Sequence, residues 1–152
     1  MSFKKSLRKG VFIVVYQFVK GKPLYLVLRR KLHWVGWEFP KGGVERFETK
    51  KHAVKREGME ETGLKLFNIK KHNYKGFYVY PRKFRDRIGY FGQSFVLYSA
   101  EVSPKRGEIK LDPREHTSFK WVNYEEALKK FEHYEKKKSL KIVDKFLNSK
   151  LK

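Results

Sequence analysis

The longest apolar run of the chain, Val11 to Tyr16, continues across Gln17 to Phe18 and Val19. Its β-branched content reads as a strand over Val11–Phe18. Gly21-Lys22-Pro23 has turn chemistry and leads to a second strand, Leu24–Arg29. Leu32–Gly36 reads as a loop, Trp37–Phe39 as a short extended piece stopped by Pro40, and Gly42–Gly43 as a tight turn. Thr49–Thr62 predicts a helix, capped by Thr49 or Glu48, with Gly63 where a left-handed C-terminal residue is wanted. Leu64–Tyr80 is strand-like with an interruption near Asn73. Pro81–Tyr90 is a basic, aromatic loop, and Gln93–Val102 is a clear later strand. Ser103–Arg114 reads as loop with a short extended piece, and Thr117–Val122 as a further strand. Asn123 caps a helix to about Phe131, and Lys136–Leu147 is a final helix burying Leu140, Ile142, Val143, Phe146 and Leu147. These elements predict an α+β fold, a mixed or mainly antiparallel sheet with helices packed on it, in a single domain over residues 1–152.

Composition narrows the class. Apolar residues make up 40% and aromatic residues 16% of the 152, which is too rich for a disordered chain. No cysteine is present, which excludes disulfides and thiolate metal sites. The apolar run falls far short of a membrane span, and no small-residue cleavage site follows it, so a soluble, cytoplasmic protein with no membrane partner is expected. Thirty-seven Lys and Arg against 16 Asp and Glu give a net charge of +21, a field that draws in polyanions. Charge by itself leaves open a nucleotide, an RNA, a membrane surface or a merely solvated lysine-rich exterior.

Against that basic background one helix gathers acid. On Thr49–Thr62, Glu57, Glu60 and Glu61 fall at i, i+3 and i+4 on one face, with Arg56 beside them. Like charges so placed repel by a few tenths of a kcal/mol per pair even when exposed. A divalent cation resolves the conflict, since magnesium takes hard oxygen ligands from carboxylates and substrate phosphates. The glycine-rich turn before the helix lets backbone groups approach the same ion and its phosphate.

Gly42, Glu48, Arg56, Glu57, Glu60, Glu61, Gly63 and Leu64 stand at the spacing of the Nudix box, and the chain resembles that family. Seven fixed residues at roughly 7% each would coincide by chance on the order of once in 10⁸ windows. Two positions depart from the pattern. Gly58 replaces an apolar residue, weakening helix propensity by roughly 1 kcal/mol relative to Ala, and Phe47 stands where the family often has glycine.

The resemblance implies a Nudix fold, an α/β/α sandwich with a mixed central sheet. It implies a hydrolase that cuts a diphosphate linked to a nucleoside, with Mg²⁺ (or Mn²⁺) as cofactor. Glu57, Glu60 and Glu61 map onto residues that bind metal or accept the water proton, and which of them is the base stays open. Arg56 orients the carboxylates, and Glu48 and Gly63 are structural residues of the box. Glu115 lies where related subfamilies carry a further carboxylate reaching the metals. Lys41, Gly42 and Gly43 would meet the substrate phosphate.

In the basic loop and its flanks, Tyr78 and Tyr80 are candidates for stacking adenine, and Lys83 and Arg85 for binding phosphate. The histidines have no metal-ligand spacing, and Trp34, Trp37 and Trp121 read as packing residues. Trp37–Gly43 is similar to the segment entering the box in diadenosine tetraphosphate hydrolases and RNA 5′-pyrophosphohydrolases. Phe91-Gly92-Gln93 is similar to the second group, and Glu115–Ala127 especially to the first. The box therefore puts dinucleoside tetraphosphate hydrolysis first. RNA 5′-pyrophosphohydrolysis and a non-catalytic RNA-binding Nudix domain are the alternatives, and the oligomeric state is left open.

Overall fold

A computed structural model of the chain describes residues 6–82, 84–103, 105 and 107–150. Its elements in order are β1 (Ser6–Val19), β2 (Lys22–Arg30), β3 (Gly36–Glu38), β4 (Lys41–Gly43), α1 (Lys50–Thr62), β5 (Phe67–Val79), β6 (Tyr90–Glu101), β7 (His116–Val122), α2 (Tyr124–Lys130) and α3 (Tyr134–Lys150). All seven strands belong to one mixed sheet.

The central strand explains the apolar run. Along one edge β1 pairs in parallel with β6, from Ser6 opposite Tyr90 to Tyr16 opposite Glu101. Phe12, Val14 and Tyr16 enter a core with Ala127 of α2 and Leu140, Val143 and Leu147 of α3. Val11, Ile13 and Val15 enter a second core with Ala53 and Val54 of α1. Both faces are covered, so the strand is continuously apolar rather than alternating. The sandwich implied by the family resemblance is the architecture observed.

The other edge of β1 creates the opening for the site. β2 pairs with β1 only at Tyr16–Val19, and the two strands then part. Two short strands fill the gap: β3 on Leu28–Arg30 of β2, and β4 on Gly10–Phe12 of β1. The link between them, Phe39–Pro40, is tied down by Ile13 N–H donating to Pro40 O at 2.9 Å. Gly42–Gly43 is therefore strand, not the tight turn its glycines suggest. Its glycines serve close approach, because a methyl on Gly42 would collide with the Glu57 carboxylate and one on Gly43 with Arg8.

Helix boundaries follow local chemistry. Thr49 Oγ1 accepts from His52 N–H at 3.1 Å, and Gly63 closes α1 at φ 71°. Gly58, poor for helix propensity, lets Leu66 pack directly against the helix backbone. Asn123 and Glu126 form a reciprocal capping box on α2. α3 starts two residues earlier and ends three later than the predicted Lys136–Leu147, and Ile142 and Phe146 are only half-buried. The interruption near Asn73 is a register shift between Lys71 and Lys75 within a continuous β5. Residues 103–114 hold no strand among the described residues. No described helix is long and apolar enough to cross a membrane.

Candidate functional site

The N-terminal half of β1, strand β4 and helix α1 converge on a pocket of about 320 Å³ lined by Glu57, Glu60, Glu61 and Glu115. The helix does not present its three glutamates equally. Glu57 and Glu61 lie on its buried side among Ala53, Val54 and Thr62, while the Glu60 side chain is 58% exposed.

Arg56 binds two of them, Glu57 and Glu60, to Glu48. Its Nε and Nη2 donate to the two Glu48 carboxylate oxygens at 2.8 and 2.9 Å. Nη1 donates to Glu57 Oε1 at 2.9 Å and Glu60 Oε2 at 3.1 Å, and Nη2 also reaches Gly43 O at 2.7 Å. One planar fork thus joins the box glutamates to strand β4, a geometry a lysine cannot reproduce. Glu48 is held down to about 2, first by its hydrogen bond from Arg56. It also accepts from Glu45 N–H at 3.0 Å and contacts His52 Nδ1 at 2.6 Å.

The two inward carboxylates respond differently. Burial pushes Glu57 up to about 7 although Arg56 opposes the shift. Burial raises Glu61 well above the carboxylate range, and the negative charges of Glu38, Glu115 and Glu57 raise it further. The Lys41 backbone N–H, at 3.1 Å from Oε2, counters this. Desolvated carboxylates crowded at one place are what a bound cation stabilises. Among the described residues no three acidic or histidine side chains converge tightly enough to hold an ion unaided. Magnesium retains waters and takes one or two carboxylates together with substrate phosphate oxygens, so this donor set fits it.

A second pocket, of about 420 Å³, adjoins the first, the two sharing Arg30, Lys41 and Arg87. Its walls are mainly aromatic: Phe12, His33, Trp34, Tyr78, Tyr80 and Phe84. Tyr78 and Tyr80 meet edge to face at 6.1 Å, and His33 stacks on Phe84 at 4.0 Å. Tyr80 Oη accepts from Arg87 at 3.0 Å and donates to Gln93 Oε1 at 3.3 Å.

Beneath the seam of the two pockets lies a buried charge cluster. Glu38, fully buried, accepts from Arg30 Nη1 and His116 Nε2, each at 2.9 Å, and pairs with Lys41 Nζ at 3.4 Å. Burial pushes the Glu38 carboxyl up, but Lys41, His116 and Arg30 together pull it below the usual carboxylate range. Lys41 Nζ also donates to Tyr78 Oη at 3.2 Å and sits 4.9 Å over that ring. Burial opposes its charge, yet Glu38 and Tyr78 together outweigh this and raise its pKa.

Lys136 of α3 completes the floor. Its ammonium lies 3.6 Å over Trp34 and donates to Trp37 O at 3.4 Å. Burial and then the Lys41 charge lower it to about 7.

Of the residues singled out in the sequence, Glu57, Glu60, Glu61, Glu115, Arg56, Lys41 and Gly42 meet at the carboxylate pocket. Gly43 contributes its carbonyl through Arg56, and Tyr78 and Tyr80 line the aromatic pocket. Arg85 is exposed and lines neither pocket, because the 81–89 loop directs Arg87 inward instead. Lys83 lies outside the described residues. Phe47, at φ 64°, adopts a left-handed conformation that favours glycine and is 92% exposed.

The sequence reading missed Arg30, Glu38, His116, Trp34 and Lys136. One signal was present: a carboxylate between Trp37 and Phe39, in a segment otherwise suited to burial, calls for buried cationic partners. Nothing local indicates that those partners come from β2, β7 and α3.

Comparison with known proteins matches this arrangement. An RNA pyrophosphohydrolase of Sulfurovum sp. is 27% identical over 152 residues, 97% of each chain. An 8-oxo-dGTP diphosphatase of Buchnera aphidicola is 30% identical over 112 residues, 72% of this chain and 75% of that protein. The crystal structure of a C. elegans Ap4A hydrolase binary complex superposes with a TM-score of 0.75 at 24% identity, covering 94% of this chain and 99% of that one. The family model of the NUDIX domain matches residues 6–142, from the start of β1 into α3, and the chain therefore belongs to the NUDIX domain family.

Proposed function

We propose that this Nudix hydrolase removes diphosphate from the 5′-triphosphate end of RNA in a divalent-metal-dependent reaction. The observation that carries the reading is the adjacency of the two pockets. An acidic cleft suited to metal and phosphates opens onto an aromatic chamber suited to one terminal base, with Arg30, Lys41 and Arg87 at the boundary where a phosphate chain would pass. The net charge of +21 lies mostly outside these pockets and favours a substrate with phosphates beyond its reacting end. The RNA pyrophosphohydrolase name of the Sulfurovum relative supports the same choice.

In this reading Glu57, Glu60, Glu61 and Glu115 would hold Mg²⁺, and Mn²⁺ could replace it. The ion would neutralise diphosphate charge and lower the pKa of the attacking water. Arg56 holds Glu57 and Glu60 in place and anchors them through Glu48 and Gly43. Lys41 serves both pockets, its N–H orienting Glu61 and its ammonium meeting phosphate beside Tyr78. Tyr78, Tyr80 and Trp34 provide ring faces for the base.

The test is incubation of pure protein with a 5′-triphosphorylated oligoribonucleotide, with Mg²⁺, Mn²⁺ or EDTA, in parallel with diadenosine tetraphosphate. Diphosphate release from RNA that requires metal and declines steeply with salt is expected. RNA left intact at high enzyme concentration, while the dinucleotide turns over, would overturn the reading.

That outcome belongs to the second reading, hydrolysis of dinucleoside tetraphosphates. It draws on the similarity of Glu115–Ala127 to those enzymes and on an aromatic pocket able to seat one of two bases. A non-catalytic RNA-binding role predicts that Glu61→Gln changes nothing. Loss of metal-dependent hydrolysis in that variant would exclude it.

A further inference from the structure

Trp37 of β3 gathers cations from three other elements. Arg29 of β2 places its Cζ 5.6 Å from the ring centroid. Lys130, the last residue of α2, places its Nζ 4.6 Å away, and Lys120 of β7 places its Nζ 5.8 Å away. The sheet brings them to one face. Arg29 stands opposite Trp37 on β3 and opposite Ser118 on β7, and Lys120 lies two residues beyond Ser118. α2 packs on that face through Ala127, in the core that Trp37 borders.

These three like charges have the ring as their shared partner. Among the described residues no carboxylate lies within 4 Å of Arg29, Lys120 or Lys130, and none of the three side chains donates a hydrogen bond within the protein. Arg29, Trp37 and Lys130 are half-buried, and Lys120 is exposed. None of the three cations lines either pocket. The cluster nevertheless adjoins the aromatic pocket, because the Trp37 carbonyl accepts from Lys136, which lines that pocket.

A ring beneath cations changes what they can do. Lysines scattered over a surface draw polyanions in, but each must be immobilised when it binds. Cations already drawn to one indole are ordered before the ligand arrives. A phosphate backbone answers such a group, because it supplies negative charges in succession where a lone carboxylate supplies one.

We propose that Arg29, Lys120 and Lys130, held on Trp37, form a second site that takes backbone phosphates of RNA beyond the end engaged by the two pockets. It rests on the reading above in taking RNA as the polyanion.

Titration of a 3′-labelled, single-stranded oligoribonucleotide with a 5′-hydroxyl end, followed by anisotropy in EDTA, tests the site without turnover and without a 5′ phosphate for the carboxylate pocket. Lys120→Gln combined with Lys130→Gln should weaken binding about 10-fold and reduce the slope of log affinity against log salt by about 1.4, the value for two lost single-strand phosphate contacts. Lys50→Gln combined with Lys51→Gln removes equal charge from the exposed start of α1 and should leave affinity within a few-fold. Trp37→Leu removes no charge, yet should weaken binding as the Lys120 and Lys130 pair does, which a diffuse field does not explain. Should Trp37→Leu fail to fold, the two lysine pairs still decide the matter. Equal losses from the two pairs, no loss from the Lys120 and Lys130 pair, a folded Trp37→Leu with unaltered affinity, or no binding by the unaltered protein would overturn the proposal. Failure of the RNA reading looks different: no diphosphate is released from triphosphorylated RNA, yet oligonucleotide binding still depends on Lys120 and Lys130.

Discussion

The carboxylate pocket and the aromatic pocket share three cationic residues and are otherwise built in opposite ways. The first draws all but Glu115 of its four glutamates from one stretch, Gly42 to Glu61, in which a single arginine gathers carboxylates that repel each other. The second collects rings from β1, the loop after β2, the end of β5 and its following loop, and charges from α3. In one, a cation organises acids on a helix. In the other, packed rings hold ammonium groups away from water. The contrast shows two routes to a polar site in a small domain: local periodicity with one organiser, or long-range packing around a buried counter-charge.

The largest effect should come from removing the organiser. Arg56→Met leaves Glu48 and Glu57 without their main partner and should cost about 3–4 kcal/mol, with loss of detectable hydrolysis. Urea unfolding measures the first, and a midpoint near that of the unaltered protein would remove Arg56 from its role.

Glu38→Gln strikes the seam instead. It keeps the shape but removes the charge facing Arg30, Lys41 and His116, and should cost about 3 kcal/mol. Both pockets should weaken together, read as a fall in nucleotide affinity and in kcat. If only one responds, the cluster does not couple them.

Gly42→Ala should separate the pockets. A methyl there displaces Glu57, an overpacking cost of about 1–3 kcal/mol. Hydrolysis should fall at least 100-fold while nucleotide affinity stays within a few-fold.

His72 serves as a control remote from both pockets. It is buried against Ser99 and Phe146, and burial lowers it to about 4. The native state then binds fewer protons than the unfolded chain between about pH 4 and 6.5. Stability should fall as pH drops through that window. His72→Gln should flatten the slope in thermal melts without altering activity at neutral pH.

The smallest effect belongs to Tyr80→Phe, which keeps the ring but loses the hydroxyl between Arg87 and Gln93. About 1 kcal/mol is expected. KM should rise several-fold with kcat unchanged; an equal fall in kcat would move Tyr80 into the carboxylate site.

Helix α1, its caps and its carboxylates were legible in the sequence. These depend on neighbours within four residues, and helical period and capping chemistry act over that range. The central strand was legible too, because six consecutive apolar residues demand cover on both faces. Tertiary structure decided the rest. Glycines that resemble a turn became strand β4 because β1 and β2 diverge and leave backbone groups to be paired. Glu38 gained Arg30 from β2 and His116 from β7, partners 8 and 78 residues away. Lys136 stood in the sequence only as the first residue of the predicted final helix. Only the packing of α3 beside Trp34 and Trp37 buried its ammonium, because the burial of a long charged side chain depends on what folds over it.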